Sequence, residues 1–360
     1  MGIFCVKAFV KLEERDILCG KAGEVVRKWG LTRKGSACTI QSNIVSSVEI
    51  LSPITANEPA SVAGGVESNE TDSFIDPTTG AVVDGGAATY DDALYQPGMM
   101  ARSARTLDAV TDDDIQFYMA EGYVAVDQAF AQSEIRAAMQ GLTDLVMGKN
   151  PAFKDMIFES KARDILPSLT PDQRVDYVRK IYNFAEFDDR LKALAYHPKL
   201  LEVVHRILGD DELVLFSEMA LLKPPRLGRE KPWHQDQAYY ELQVETKVVG
   251  VWIALDEATV ENGCMQLLPE LRKRGAVMHF KRRDWQICDS EVMGRRSVAA
   301  PLKPGGLLFF DGLLPHGTPE NRTPLRRRAV QYHYIRARSE KMSQADRLRI
   351  FGSEGKNVTC

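Results

Sequence analysis

Residues 213–222 read LVLFSEMALL, and they open a region in which the chain changes character. Five further runs follow: KVVGVWIALDEA at 247–258, CMQLLP at 264–269, SVAAPL at 297–302, GGLLFFDG at 305–312 and RRAVQYHYI at 327–335. Short runs rich in β-branched and aromatic residues, separated by Gly and Pro turns, predict a sandwich or barrel. Upstream the pattern is helical. Thr111 before three aspartates offers an N-cap with an acidic residue three positions on, which predicts a helix through Glu121. Ser133 and Glu134 begin another, through about Met147, and Leu200, Val203, Val204, Ile207 and Leu208 draw an apolar helical stripe along 198–208. The expected fold is α+β and mainly β: a cupin-like double-stranded β-helix, or jelly roll, backed by amino-terminal helices.

Charge divides the chain. Residues 1–34 carry eight basic and four acidic side chains, 35–101 carry nine acidic and no basic ones, and 102–360 carry 38 basic and 37 acidic. The middle stretch is rich in small and acidic residues and poor in aromatics, so it buries too little apolar area to offset ordering entropy. The expected organisation is an extension at 1–51, a disordered acidic linker at 52–105, a domain at 106–350 and a tail at 351–360. Within the domain, 106–210 reads as helical and 211–340 as the jelly roll. Met99 and Met100 stand just before the domain, and translation from there is a second expectation.

The chemistry is concentrated in two segments, KPWHQDQAYY at 231–240 and GLLPHGTPENRTPLRRRA at 312–329. In an extended segment His234 and Asp236 fall on one face while Gln235 points the other way. With His316 they can form a 2-His-1-carboxylate triad, which leaves three cis positions open on iron(II). His197 and His205 read as surface or packing residues.

These motifs, in this order, resemble the phytanoyl-CoA dioxygenase family of iron(II)/2-oxoglutarate oxygenases, from about Thr111 to about Ala337. The resemblance implies iron ligands His234, Asp236 and His316. It implies that Arg327, eleven residues after the last His, holds the distal carboxylate of 2-oxoglutarate. Trp252, Met219, Lys180 and Thr318 become further co-substrate contacts, and Asn321 and Thr323 occupy the family's Asn-x-Ser/Thr positions. A guanidinium suits the Arg327 role, because its planar fork grips a carboxylate through two hydrogen bonds. Strand alternation by itself selects otherwise: it puts Arg327, Ala329, Gln331 and His333 on one face and Arg328, Val330, Tyr332 and Tyr334 on the other, and favours burying the second.

The implied reaction consumes 2-oxoglutarate and O2 and hydroxylates a small-molecule substrate, with succinate and CO2 as co-products. Halogenating relatives lack the carboxylate ligand, so Asp236 argues against halogenation. The alternative from another class is a jelly-roll module that binds metal and 2-oxoglutarate without turnover. Tyr239 and Tyr240 either line the pocket or are simply strand residues. The family's Pro-Gly-Ser-His after its Gly-Cys strand is replaced here by Leu268-Pro269-Glu270-Leu271-Arg272. Basic residues from Arg272 to Arg296, Arg282 and Arg283 among them, form either a rim that attracts an anionic substrate or a solvated loop.

A formal net charge of −4 and the absence of a reader motif point away from nucleic acid. No apolar run reaches the roughly 18 residues a membrane span needs, and no secretory leader is evident. Six cysteines, widely spaced at 5, 19, 38, 264, 288 and 360, fit a reducing, cytoplasmic compartment, with Cys264 a small core residue. A monomer or homodimer is expected.

Overall fold

The computed structural model describes residues 89–209 and 212–352, together with two short strands at Phe74–Ile75 (β1) and Val82–Val83 (β2). Residues 1–51, most of 52–88 and the tail from 353 lie outside the described residues, and with them the extension and most of the expected linker. The remaining strands are β3 (Pro97–Met100), β4 (Ser103–Ala104), β5 (Tyr123–Val126), β6 (Met156–Phe158), β7 (Val178–Tyr182), β8 (Leu213–Lys223), β9 (Lys231–His234) and β10 (Val249–Ala254). After them come β11 (Met265–Leu267), β12 (His279–Lys281), β13 (Trp285–Ile287), β14 (Ser297–Ala300), β15 (Leu307–Asp311), β16 (His316–Thr318) and β17 (Arg327–Arg336). The longer helices are α1 (Asp112–Glu121), α2 (Gln132–Val146), α3 (Asp189–Ala195), α4 (Pro198–Leu208) and α5 (Gln344–Phe351).

Two sheets carry the domain. One has ten strands in the order β1-β2-β6-β7-β8-β17-β10-β15-β5-β4, and the other has five in the order β3-β14-β11-β16-β9. The double-stranded β-helix expected from the sequence is the fold observed. Every β-rich run from 213 onward becomes a strand, and the three foreseen helices form, the second from Gln132 after an Ala131 N-cap and not from Ser133. The Thr111 side chain accepts from the Asp114 amide while the Asp114 carboxylate accepts from the Thr111 amide, which closes the capping box of α1.

Both faces of the large sheet are covered, and this explains how the alternation of β17 resolves. Val330, Tyr332 and Tyr334 pack with Val249, Val251 and Ile253 of β10 against the helices. There the Tyr332 hydroxyl donates to the Leu191 carbonyl at 2.7 Å and the Tyr334 hydroxyl to the Ala195 carbonyl at 2.6 Å. On the other face Trp252, Ala254 and Ala329 meet Met265, Leu267 and Val298 of the second sheet. The face bearing Arg327, expected to lose to the aromatic one, is as deeply buried. Gly250 lies on that inner face, where an added Cβ would stand 2.3 Å from the Phe310 ring. Five apolar side chains of α4 are buried on the helical side, each stabilising by roughly 1.5–3 kcal/mol.

Three boundaries differ from the expectation. Residues 106–210 are not simply helical, since β5, β6 and β7 from this part join the large sheet. Short strands of three to five residues among helices give too little period to be read. The fold also begins earlier than residue 106. Tyr95 is buried and stacks on Trp233 at 5.3 Å, its hydroxyl donates to Glu230 at 2.8 Å, and β3 pairs with β14. Residues upstream of Met99 are therefore part of the packed domain. At the other end Phe351, assigned to a tail, is fully buried as the last residue of α5.

Of the basic residues from Arg272 to Arg296, four are tied into the fold by ion pairs, and none of these four lines the cavity over the metal centre. Arg283 is held between Glu230 at 2.8 Å and Asp289 at 2.5 Å, Arg272 pairs with Asp311, Arg274 with Glu291 and Lys273 with Glu121.

Replacing Tyr95 with Ala is expected to destabilise the domain by about 3–5 kcal/mol, the range for a buried aromatic, read as a lower thermal midpoint. Arg283→Ala leaves Glu230 buried without its cation and lowers the midpoint as well. Retention of the parent midpoint by either variant would contradict the packing just described.

Candidate metal centre

His234 ends β9, Asp236 begins a short 3-10 turn to Tyr239, and His316 begins β16. The antiparallel pairing of β9 with β16 sets His234 directly opposite His316. The Asp236 Oδ1 atom lies 3.2 Å from His234 Nε2 and 3.6 Å from His316 Nε2. Ligand atoms at right angles and about 2.1 Å from one ion would be roughly 3 Å apart, and the three buried donors lie within 4.8 Å of one another, near enough to converge on one ion.

Local backbone bonds orient the rings. His234 Nδ1 donates to the Pro232 carbonyl at 2.7 Å and His316 Nδ1 to the Leu314 carbonyl at 2.9 Å. A proton on Nδ1 leaves the Nε2 lone pair of each neutral ring facing Asp236. Gln235, between the ligands, points away as the alternation predicts. Its amide donates to the carbonyls of Gly275 and Leu313, its side-chain oxygen accepts from the Val277 amide, and its backbone N–H donates to His279 Nε2. The stretch after Leu268, where the sequence departs from the family, thus clamps the residue between two ligands.

Electrostatics favour the metal-competent protonation states. Burial, the facing His316 and nearby Lys231 push His234 down to about 3, and burial lowers His316. Burial opposes ionisation of Asp236, but the neighbouring His316 and a hydrogen bond from His333 outweigh it and hold the carboxyl well below its usual range. Two neutral imidazoles and one carboxylate are what a divalent ion of the iron(II) type requires. The other Asp236 oxygen, Oδ2, lies 3.0 Å from Gln331 Nε2 and 2.8 Å from His333 Nε2.

A cavity of about 250 Å³ opens over this centre. Its floor is one face of the large sheet, because the register sets Lys180 beside Leu221, Tyr182 beside Met219, Met219 beside Gln331 and Lys223 beside Arg327. His234, Asp236, His316 and Thr318 form the opposing wall, with Tyr239 and Tyr240. Of the residues singled out in the sequence, Lys180, Met219, Thr318, Arg327 and both tyrosines line this space. Trp252 does not. It is buried beneath Arg327, its ring 5.5 Å from the guanidinium carbon. Asn321 and Thr323 are turn residues: the Asn321 amide donates to the carbonyls of Lys223, Pro224 and Leu325, and the Thr323 amide donates back to Asn321. His197 packs on Phe130 and His205 is exposed, as expected of non-ligands.

Arg327 shows what the cavity is shaped for. It is 1% exposed, its Nε has no hydrogen-bond partner, and its Nη1 makes one long contact of 3.5 Å to the Leu221 carbonyl. Burial lowers it to about 10, which still leaves it charged at neutral pH. Among the described residues no carboxylate pairs with it, and directly across the sheet stands a second buried cation, Lys223. Isolated buried charge is strongly unfavourable, so this arrangement fits an anionic guest and specifically a carboxylate.

Sequence reasoning missed Lys223, Arg179, Arg229 and Lys231 on the cavity wall and the contacts of Gln331 and His333 with Asp236. The one available signal was the alternation of β17, which already grouped Arg327 with Gln331 and His333.

The phytanoyl-CoA dioxygenase (PhyH) family matches residues 118–329. A probable phytanoyl-CoA dioxygenase of Caenorhabditis elegans is 26% identical over 235 residues, 61% of this chain and 73% of that protein. The solved structure of EvdO2 from Micromonospora carbonacea var. aurantiaca, complexed with 2-oxoglutarate, superposes with a TM-score of 0.50 at 26% identity, over 65% of this chain and 94% of that one. The α-ketoglutarate-dependent carbocyclase SnoK from nogalamycin biosynthesis shares the fold, with a TM-score of 0.52 at 19% identity over 70% of this chain and 97% of that one. With the family match covering more than half of its length, and with the His-Asp-His donor set in place, this chain belongs to the phytanoyl-CoA dioxygenase family of iron(II)- and 2-oxoglutarate-dependent oxygenases.

Proposed function

We propose that the chain hydroxylates a small-molecule substrate at this centre, turning 2-oxoglutarate and O2 into succinate and CO2. The observation that carries the reading is the buried Arg327 guanidinium with an unpartnered Nε, beside three donors within 4.8 Å of one another. His234, Asp236 and His316 would hold iron(II), and the bound ion would supply the activation of oxygen. Arg327 would grip the distal carboxylate of 2-oxoglutarate and so orient it, with Met219, Lys180 and Thr318 around its body. Trp252 would act through Arg327, by supporting the guanidinium from below. Enclosure between two sheets excludes water, which strengthens each charged contact.

The intact carboxylate ligand supports hydroxylation over halogenation. A cavity of about 250 Å³ fits a small substrate or the reacting end of a longer one. No described helix is long and apolar enough to cross a membrane. We place the protein in a reducing compartment such as the cytoplasm, which suits its two described cysteines, Cys264 and Cys288, both buried and free.

Anaerobic titration of the full-length protein with iron(II) and 2-oxoglutarate should produce the weak visible charge-transfer band of the chelate. His316→Ala should abolish it. Arg327→Ala should keep iron binding but raise the 2-oxoglutarate Kd by roughly 30-fold or more, the equivalent of at least about 2 kcal/mol for one partner of a buried ion pair. No band in the parent would overturn the proposal. Under air, the parent should release succinate when a substrate is present. A band without succinate release across a broad substrate panel would instead support a module that binds the co-substrate without turnover.

A further inference from the structure

We propose that Gln331, His333 and Tyr240 are positioning residues that lock Asp236 so that only one of its oxygens is offered to the metal. This inference rests on the iron and 2-oxoglutarate reading above.

An ionised carboxylate only accepts hydrogen bonds, so His333 Nε2, 2.8 Å from Asp236 Oδ2, must carry a proton. In a neutral ring Nδ1 is then the acceptor, and the Tyr240 hydroxyl 3.0 Å away donates to it. The same reasoning orients the Gln331 amide. Turned over, its carbonyl would face Oδ2 at 3.0 Å, oxygen against oxygen, so the NH2 group points at the carboxylate. Oδ2 therefore receives two hydrogen bonds from residues 0% and 2% exposed, while Oδ1 faces His234 and His316.

This division of the two oxygens has a consequence for the metal. A carboxylate with both oxygens at liberty can chelate, and a second oxygen on the ion would fill one of the three positions that a facial triad leaves open. Two of those positions are needed for chelation by 2-oxoglutarate and one for oxygen. Two charge-assisted hydrogen bonds on Oδ2 hold it away from the ion and keep the carboxylate plane fixed. The lock is built by the register of β17: Gln331 and His333 follow Arg327 at alternate positions on the cavity face, so one strand both grips the co-substrate and sets the ligand. Tyr240 closes the relay from the other side, four residues after Asp236.

The test uses full-length protein under anaerobic conditions, with iron(II) alone titrated by calorimetry and 2-oxoglutarate then added to the loaded protein. His333→Phe keeps a flat ring, somewhat larger, but has no N–H, and is expected to weaken iron(II) binding by about 10- to 100-fold and to lower the charge-transfer intensity per bound iron. His333→Gln, whose amide can donate to Oδ2, should recover most of both. Tyr240→Phe, which releases the His333 tautomer, should fall between the parent and His333→Phe. Parent-like iron affinity and band intensity in His333→Phe would overturn the lock. So would a His333→Gln variant that is folded yet as impaired as His333→Phe, because the effect would then be one of packing. If His333→Phe does not fold, Tyr240→Phe and Gln331→Leu decide the matter: weakened iron binding at an unchanged thermal midpoint supports the lock, and parent affinity in both overturns it. Failure of the parent to bind iron would instead refute the functional reading on which the lock rests.

Discussion

The pairing of β9 with β16 is the contact on which the centre depends. It sets His234 across from His316, two residues far apart in the chain, and the turn after His234 brings Asp236 to the same point. Because each ring also donates from Nδ1 to a carbonyl two residues earlier, strand geometry dictates side-chain direction and tautomer together. A shift of register by one residue would turn a ligand to the opposite face and dissolve the site. Much of the neighbouring architecture secures this register. Trp233 is stacked under Tyr95, Gln235 is clamped by the 275–279 loop, and β11 supports β16 from the other side.

A second constraint is the amount of charge taken out of water. Lys223 and Arg327 are buried as cross-strand neighbours, an arrangement of like charges that ordinarily destabilises a sheet. Burial first and then repulsion from Arg327 and Arg179 hold the Lys223 ammonium well below its usual range. The Lys223 ammonium is held by the backbone carbonyls of Arg229 and Thr318, to which it donates. Elsewhere buried charge is matched: Glu159 by Arg179 and Arg229, Glu230 by Arg283. Arg327 differs from these in that no carboxylate among the described residues pairs with it, and its Nε has no hydrogen-bond partner.

The most divergent stretch of the sequence has a structural role here. Between Pro269 and Arg296 the chain forms a hairpin and two helical turns in which Arg272, Lys273, Arg274 and Arg283 make ion pairs within the protein, and in which His279 and Val277 support the metal motif through Gln235.

The helices, the β-rich runs, the ligand triad and the family were legible in the sequence, because capping boxes, apolar period and the His-x-Asp motif are local signals. The triad needed the family resemblance to rise above chance, and Arg327 needed it outright, since alternation favoured the opposite face of its strand. Only the tertiary structure decided that both faces of β17 are buried, one against helices and one against the second sheet. It alone showed that residues 89–105 belong to the domain, through contacts made by single side chains such as Tyr95. The Asp236 contacts with Gln331 and His333, and the cations of the cavity wall, were likewise invisible, because each depends on strand pairing across nearly a hundred residues of sequence. Residue types and spacing determined what chemistry the chain can perform; strand register determined which of those residues meet.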